Sequence, residues 1–216
     1  PHLNGAALGR AFQQAADAFT AALLSSPFRA QLEEKYGTLL FAQAEQERRT
    51  IDPAIVEDMK RENALSQEYV KLIASAQIPF EGGTYTLSQL MPFKKSADDA
   101  RRLAAWKAEG AWYKEHQADL DRIYDELTHV RDAMGRKLGY KNYLPLGYDR
   151  MGRLSYGRED VERFREAVRA YVVPLADKVY RAQAERLGVE YPLSFADEAL
   201  SFRSGNPVPR GTAEDV

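Results

Sequence analysis

The sequence predicts a mainly α fold, a bundle of long helices with one small β-hairpin or extended turn. Apolar residues recur every three or four positions through most of the 216 residues, which is the helical period. Prolines and glycines stand mainly at the ends of these periodic segments. Only one short segment, around a Gly-Gly pair, has β-prone residues on both sides. At 44% hydrophobic residues, the chain can bury a core.

The first part of the chain predicts three helices. The first stops at Ser25-Ser26-Pro27, and Ser26 with Pro27 then forms a plausible start for the second. Asp52 and Pro53 repeat the same device before the third helix. The apolar faces are Phe12, Ala16, Phe19 and Leu23; Phe28, Leu32 and Tyr36; and Leu65, Tyr69, Leu72 and Ile73.

Residues 78–87 break the helical period at Gly82-Gly83, and we expect a small hairpin or extended turn there. The longest predicted helix follows, capped by Ser96, with Asp98 and Asp99 in the first turn where negative charge suits the helix dipole. It is long for a globular helix, so we expect a kink within residues 110–116. Its apolar positions are Leu103, Trp106, Tyr113, Leu120, Ile123, Tyr124, Leu127, Val130, Met134 and Leu138.

The last predicted helix starts after Gly157 and ends at Leu187, with Gly188 as its left-handed cap. Pro174 lies inside it, and proline removes one backbone hydrogen bond, so we expect a kink. An irregular segment follows. The apolar face of this helix is Val161, Phe164, Val168, Tyr171, Leu175 and Val179.

The segment KLGYKNYLPLGYDRMGR, residues 137–153, interrupts the helices. Gly139 ends one helix, and Asn142 can cap a short helical turn through Leu146 that Gly147 stops. One interpretation is a structural corner filled by tyrosine rings. The alternative is a basic corner that faces a ligand, since six basic residues meet two acidic ones: Arg131, Arg136, Lys137, Lys141, Arg150 and Arg153 against Asp132 and Asp149.

Composition excludes several classes of protein. The 30 basic and 32 acidic side chains leave a net charge of −2, which does not indicate a nucleic-acid or membrane-surface partner. There is no cysteine, so disulfides, cysteine nucleophiles and thiolate metal sites are ruled out. No apolar run approaches the length of a membrane span. We therefore expect a cytoplasmic protein.

No catalytic constellation emerges from residue spacing. The zinc-peptidase motif HExxH is absent, because the three histidines, His2, His116 and His129, lack that pattern. Glu126 and His129 form one Glu-x-x-His pair, whereas di-iron bundles need two pairs and two further glutamates. A metal-carboxylate site at this pair is a weak alternative. We assign no catalytic or metal residue to this chain, and the substrate-binding residues stay unknown.

The order of segments carries more information than any single motif. LSQL at residues 87–90, RKLGYKNY at 136–143 and VVPL at 172–175 follow one another in a run from Glu62 to Pro209. This run resembles the N-terminal half of the oligoendopeptidase F family of zinc metallopeptidases, relatives of thimet oligopeptidase. The resemblance implies a helical lobe of a bowl-shaped peptidase with an internal channel that admits short peptides. It also implies that zinc is bound by an HExxH motif and a later glutamate, outside this chain.

The resemblance suggests how the chain is organised. We expect N-terminal helices in residues 1–61, the family-like helical lobe in 62–209, and a tail in 210–216 that leads toward a missing C-terminal catalytic half. The start at Pro1 and the loop-like end SGNPVPRGTAEDV indicate a piece of a longer protein, which alone binds no zinc and is inactive. The alternative is a helical scaffold or peptide-binding module derived from that fold without peptidase activity.

Overall fold

The computed structural model describes residues 5–208 and 211, and within them the fold is mainly α, as predicted. One antiparallel hairpin, β1 (Ile78–Phe80) with β2 (Gly83–Tyr85), interrupts the helices. A 3₁₀ turn at Pro53–Ile55 precedes α4, and a π-helical segment at Val168–Val172 precedes α10. The α-helices are α1 (Gly5–Leu24), α2 (Arg29–Tyr36), α3 (Leu39–Thr50), α4 (Val56–Ala74), α5 (Met91–Lys94), α6 (Asp99–Glu115), α7 (Gln117–Lys137), α8 (Tyr143–Arg150), α9 (Arg158–Ala167) and α10 (Val173–Leu187).

The described chain divides into two compact units. The first unit comprises the residues up to Arg61 together with His129–Val161, so the α7–α8 corner belongs with the N-terminal helices. Its core consists of fully buried Ile55, Met134 and Leu146, with partly buried apolar and tyrosine side chains around them. Burial of such side chains stabilises each by about 1.5–3 kcal/mol relative to exposure.

The second unit comprises Glu62–Thr128 and the described residues from Glu162 onward. Its core is formed by Ala76, Ile78, Leu90, Ala105 and Trp112, which come from the hairpin, from α6 and from the segments around them. The hairpin itself pairs Ile78 with Tyr85, and the predicted turn lies between its strands.

Local capping signals place several helix starts correctly. The Asp52 carboxylate accepts a hydrogen bond from the backbone N–H of Ala54 at 2.8 Å, just before α4. The Asn142 amide oxygen accepts one from the backbone N–H of Leu144 at 3.0 Å and caps α8. Such side chains satisfy backbone donors that have no partner inside the helix, which is why they were readable from sequence.

Helix ends and breaks also follow the predicted signals. α6 and α7 are separated at His116, inside the range where a kink was expected. Gly139 follows α7 with a φ of 83°, and Gly188 caps α10 in the left-handed conformation at φ 68°. Glycine adopts these angles without the steric cost that a Cβ would impose.

The predicted cap of α6 was displaced by two residues. Asp98, not Ser96, caps the helix, and its carboxylate accepts a hydrogen bond from the backbone N–H of Arg101 at 3.0 Å. The Ser96 hydroxyl instead accepts from the backbone N–H of Asp98 at 3.2 Å, one turn earlier. Both residue types cap helices, but a carboxylate also interacts favourably with the helix dipole.

Two helices were not anticipated, and one predicted stop was wrong. A break at Gly37, with φ 86°, separates α2 from α3, and the short α5 follows the hairpin. α8 continues past Gly147 to Arg150. Gly147 is buried, and a Cβ there would lie 3.1 Å from the ring of Tyr143, so this glycine permits close packing within the helix.

The last helix changes its hydrogen-bond pattern just before Pro174. The backbone N–H of Val173 donates to the carbonyl of Val168, five residues back, which defines the π segment. Pro174 has no N–H to donate, so the ladder is already interrupted at this point. An irregular segment follows Gly188, as expected. Most of the predicted 210–216 tail, and His2, lie outside the described residues.

Candidate functional site

The α7–α8 corner, residues 137–153, is organised around Asp149. Tyr140 donates a hydrogen bond from its hydroxyl to Asp149 at 2.9 Å. Burial raises the pKa of the Tyr140 hydroxyl, and the bond to Asp149 raises it further. Gly135 permits this fold-back, since a Cβ there would lie 2.7 Å from the backbone oxygen of Asn142. The corner therefore depends on close packing as well as on a polar network.

Helix α3 supplies the other partners of Asp149. The buried side-chain amide of Gln46 donates to the Asp149 carboxylate at 3.3 Å and to the backbone carbonyl of Arg153 at 3.2 Å. The Arg49 guanidinium lies 3.7 Å from the same carboxylate. Asp149 thus connects α3, α8 and the segment after α7, which is a structural role. From the sequence, this carboxylate was recognisable only as one of the two acidic residues of the corner.

The basic residues of the corner make contacts within the chain. Arg150 donates to the Tyr143 hydroxyl at 3.0 Å, and Arg153 lies over the rings of Tyr148 and Tyr156 at 4.6 and 5.4 Å. Arg131 lies over the Tyr143 ring. Arg136 forms an ion pair with Asp132, and Lys137 forms one with Asp58. Lys141 is exposed. These contacts favour the structural interpretation of the corner over a ligand site.

Within the part of the chain that the structure describes, Glu126 and His129 are not extended into a metal site. The Glu126 carboxylate accepts a hydrogen bond from Arg122 at 3.0 Å on the same helix. Within residues 5–208 and Gly211, no three His, Cys, Asp or Glu side chains are grouped so that they could hold a metal ion. The residues that the structure describes therefore do not fit zinc, and we assign this chain no chemical step that involves it.

A buried cation was missed at the sequence level. Lys94, at the end of α5, is only 4% exposed, and its Nζ lies 2.6 Å from the Glu109 carboxylate and 3.7 Å from the centre of the Trp106 ring. Its position in MPFK gave no signal, since lysines are ordinarily exposed.

Arg102 is a second buried cation of the same unit. Its guanidinium contacts the Asp197 carboxylate at 2.6 Å and the Ala196 carbonyl at 2.9 Å. Burial alone would raise the pKa of Asp197, but hydrogen bonds from Ser194 and Arg102 lower it below its ordinary value. These ion pairs hold α5, α6 and the irregular segment after α10 in place.

Several helices present apolar side chains to solvent. Phe12 and Phe19 of α1 are 71% and 62% exposed, although they lie on its predicted apolar face. Tyr171 in the π segment, with Leu175 and Val179 of α10, is exposed in the same way. Large apolar side chains exposed on one helix face are candidates for contact with another protein segment. No helix in the part of the chain that the structure describes is long and apolar enough to cross a membrane.

The protein is mainly helical, and polar networks stabilise each of its two units. Its described residues contain no metal-ligand cluster, and α1 and α10 expose large apolar side chains. The sequence model of the peptidase M3 N-terminal domain matches residues 7–51. A search of curated proteins finds no match. Solved structures match nearly the whole chain.

Three of these structures have a TM-score of 0.86. A protein assigned as oligoendopeptidase F is 47% identical over 92% of this chain, and PZ peptidase A, solved with an inhibitor, is 49% identical over 92%. A protein assigned as oligoendopeptidase F from Bacillus anthracis str. Ames is 42% identical over 94%. The resemblance to the oligoendopeptidase F family is thereby confirmed, and the chain corresponds to the N-terminal part of such a peptidase. It spans 35–37% of the length of these structures, closer to a third than to a half.

Proposed function

We propose that this chain is the N-terminal, non-catalytic part of an oligoendopeptidase F-like zinc metallopeptidase that hydrolyses short peptides. The observation that carries the proposal is the 42–49% identity, over more than nine-tenths of this chain, to proteins named as peptidases. Identity at this level over more than nine-tenths of the chain supports a common arrangement and a common role within the longer proteins. The chain accounts for about a third of each of them, so the catalytic groups have ample length elsewhere.

Zinc belongs to the proposal only through residues outside this chain. The resemblance implies an HExxH motif and a later glutamate, and this sequence contains no such motif. When bound there, zinc would activate a water molecule for attack on the peptide bond. The residues of this chain contribute to the channel wall, and the Asp149 corner stabilises the first unit while the buried ion pairs stabilise the second.

The proposal includes the partners and the location expected from the resemblance. Short peptides are the substrates, and the C-terminal catalytic part is the partner that residues 210–216 lead toward. We propose the N-terminal helices as residues 1–61 and the family-like lobe as 62–209. A cytoplasmic location completes the proposal, and cell fractionation with an antibody against this chain tests it.

The experiment compares the 216-residue chain with the product of its complete reading frame. We expect stoichiometric zinc and hydrolysis of short quenched-fluorescence peptides by the complete product, with loss of activity on chelation and return on adding zinc. A folded protein offered as substrate should stay intact. The isolated chain should bind no tight zinc and cleave nothing.

Two results would overturn the proposal. Tight binding of zinc by the isolated chain would show that a metal site lies within these 216 residues, whereas the proposal assigns it to the C-terminal part. A complete product that folds and takes up no zinc would leave the helical scaffold or peptide-binding module as the remaining function.

A further inference from the structure

Helix α10 is buried at its C-terminal end and exposed at its beginning. On its inner side, Ala184 and Leu187 are each 2% exposed and pack with the segment that follows the helix. Buried Gln183 fixes that segment, because its side-chain amide donates to the backbone carbonyls of Glu198 and Leu200 at 3.0 and 2.8 Å. The C-terminal end of α10 is therefore covered by this chain, whereas none of residues 162–182 is buried.

The outer side carries a stripe of large apolar side chains. Tyr171, Leu175 and Val179 follow one another at four-residue intervals, which keeps them on one side of the helix, and they are 79%, 61% and 56% exposed. Leu175 and Ala184 are nine residues apart, about two and a half helical turns, so they point in opposite directions. We call Tyr171, Leu175 and Val179 the outer stripe.

A helix that is anchored at one end and exposes large apolar side chains along the rest of its length is suited to pack against further protein. The relatives have nearly two-thirds of their length outside the part that matches this chain. We propose that the outer stripe docks against an uncharged apolar surface of the catalytic part of the same polypeptide. This inference rests on the proposed function and names the surface through which the two parts of the enzyme join.

Thiol labelling tests the docking directly, since the chain contains no cysteine of its own. Leu175→Cys and Val179→Cys are introduced singly into the isolated chain and into the product of the complete reading frame. Ala105→Cys, at a position that is 0% exposed, reports that each protein is folded. Lys107→Cys, at an exposed position of α6, gives the rate of a freely accessible thiol in the isolated chain. Maleimide modification is followed by mass spectrometry of the peptide that contains each position.

We expect positions 175 and 179 to react as fast as position 107 in the isolated chain, and at least about tenfold more slowly in the complete protein. Equal rates in the two proteins would overturn the proposal. So would protection that appears only when the complete protein dimerises, which would assign the stripe to a second copy. Protection that requires added peptide would assign it to substrate and overturn the proposal as well.

The labelling result is separable from the test of function. A complete protein that is inactive and free of zinc, yet protected at positions 175 and 179, would refute the proposed function and retain the docking surface. An active zinc enzyme with both positions exposed would do the reverse. A reading frame that encodes no further domain would remove both proposals.

Discussion

Replacing Glu109 by glutamine should destabilise the second unit more than any substitution on its surface. The carboxylate lies 2.6 Å from the Nζ of Lys94, and the side chains are 15% and 5% exposed respectively. The same ammonium lies 3.7 Å from the centre of the Trp106 ring. Glutamine preserves the shape of the glutamate but removes the charge that compensates the buried cation.

The size of the effect follows from what is left behind. Removing one partner of a buried ion pair costs about 3–5 kcal/mol, because the other charge stays buried. The aromatic ring still attracts the ammonium, by up to about 2 kcal/mol. We therefore expect Glu109→Gln to lower the free energy of unfolding by about 3 kcal/mol. The double variant Lys94→Met/Glu109→Leu removes both charges and should lie within about 1 kcal/mol of the unmodified protein.

Urea unfolding followed by tryptophan fluorescence measures this quantity. Both tryptophans, Trp106 and Trp112, lie in the second unit, so the signal reports that unit. Glu115→Gln, at an exposed position of the same helix, is the matched control and should change the free energy by less than about 0.5 kcal/mol. The reasoning is refuted if Glu109→Gln costs less than about 1 kcal/mol, or if the double variant is as unstable as the single one.

Two further predictions concern other buried polar contacts. Tyr140→Phe removes the hydrogen bond to Asp149 and should cost the first unit about 1 kcal/mol in urea unfolding followed by circular dichroism; an unchanged free energy of unfolding would show that this bond does not stabilise the corner. The folded protein lowers the pKa of Asp197 beside Arg102, so this carboxylate stabilises the fold above its unfolded pKa of about 4, and that stability is lost as the pH falls further. Asp197→Asn should therefore flatten the acid limb of a stability–pH profile, whereas Asp119→Asn, at an exposed position, should leave it unchanged.

Sequence reasoning succeeded where the signal is local. Asp52 and Asn142 were recognisable as caps because their side chains bind backbone donors two residues ahead. Gly188 was recognisable because only glycine readily adopts its backbone angles. The hairpin and the break between α6 and α7 were also marked by residues at the point where the chain turns.

It failed where a distant neighbour decides the outcome. Gly147 looks like a stop, yet it lies within α8, where the Tyr143 ring occupies the space that a side chain would need. Periodicity identified the apolar positions of α1 and α10 but could not say whether this chain covers them. Phe19 and Leu175 have the pattern of core residues, and both are more than 60% exposed. An amphipathic pattern predicts that one helix face will be buried, but it does not predict which protein segment will cover that face.

The candidate site shows the same division. The absence of HExxH was readable directly, and the corner at residues 137–153 was recognised as unusual. Asp149 as its centre was not predictable, because Gln46 and Arg49 reach it from about a hundred residues earlier. The burial of Lys94 likewise depends on Glu109 and on the helix that carries it.

The π segment Val168–Val172 has a consequence for how this helix can change in length. A π turn holds one more residue than an α turn, so removal of a single residue there would let α9 and α10 join as one regular α-helix. Because the extra residue is absorbed within that turn, the deletion would leave Phe164 and Leu187 at about their present angle to each other around the axis. A single-codon change at this point therefore alters the length of the chain without turning either helix face and without adding a loop, and a relative with a regular helix here should align with a one-residue gap.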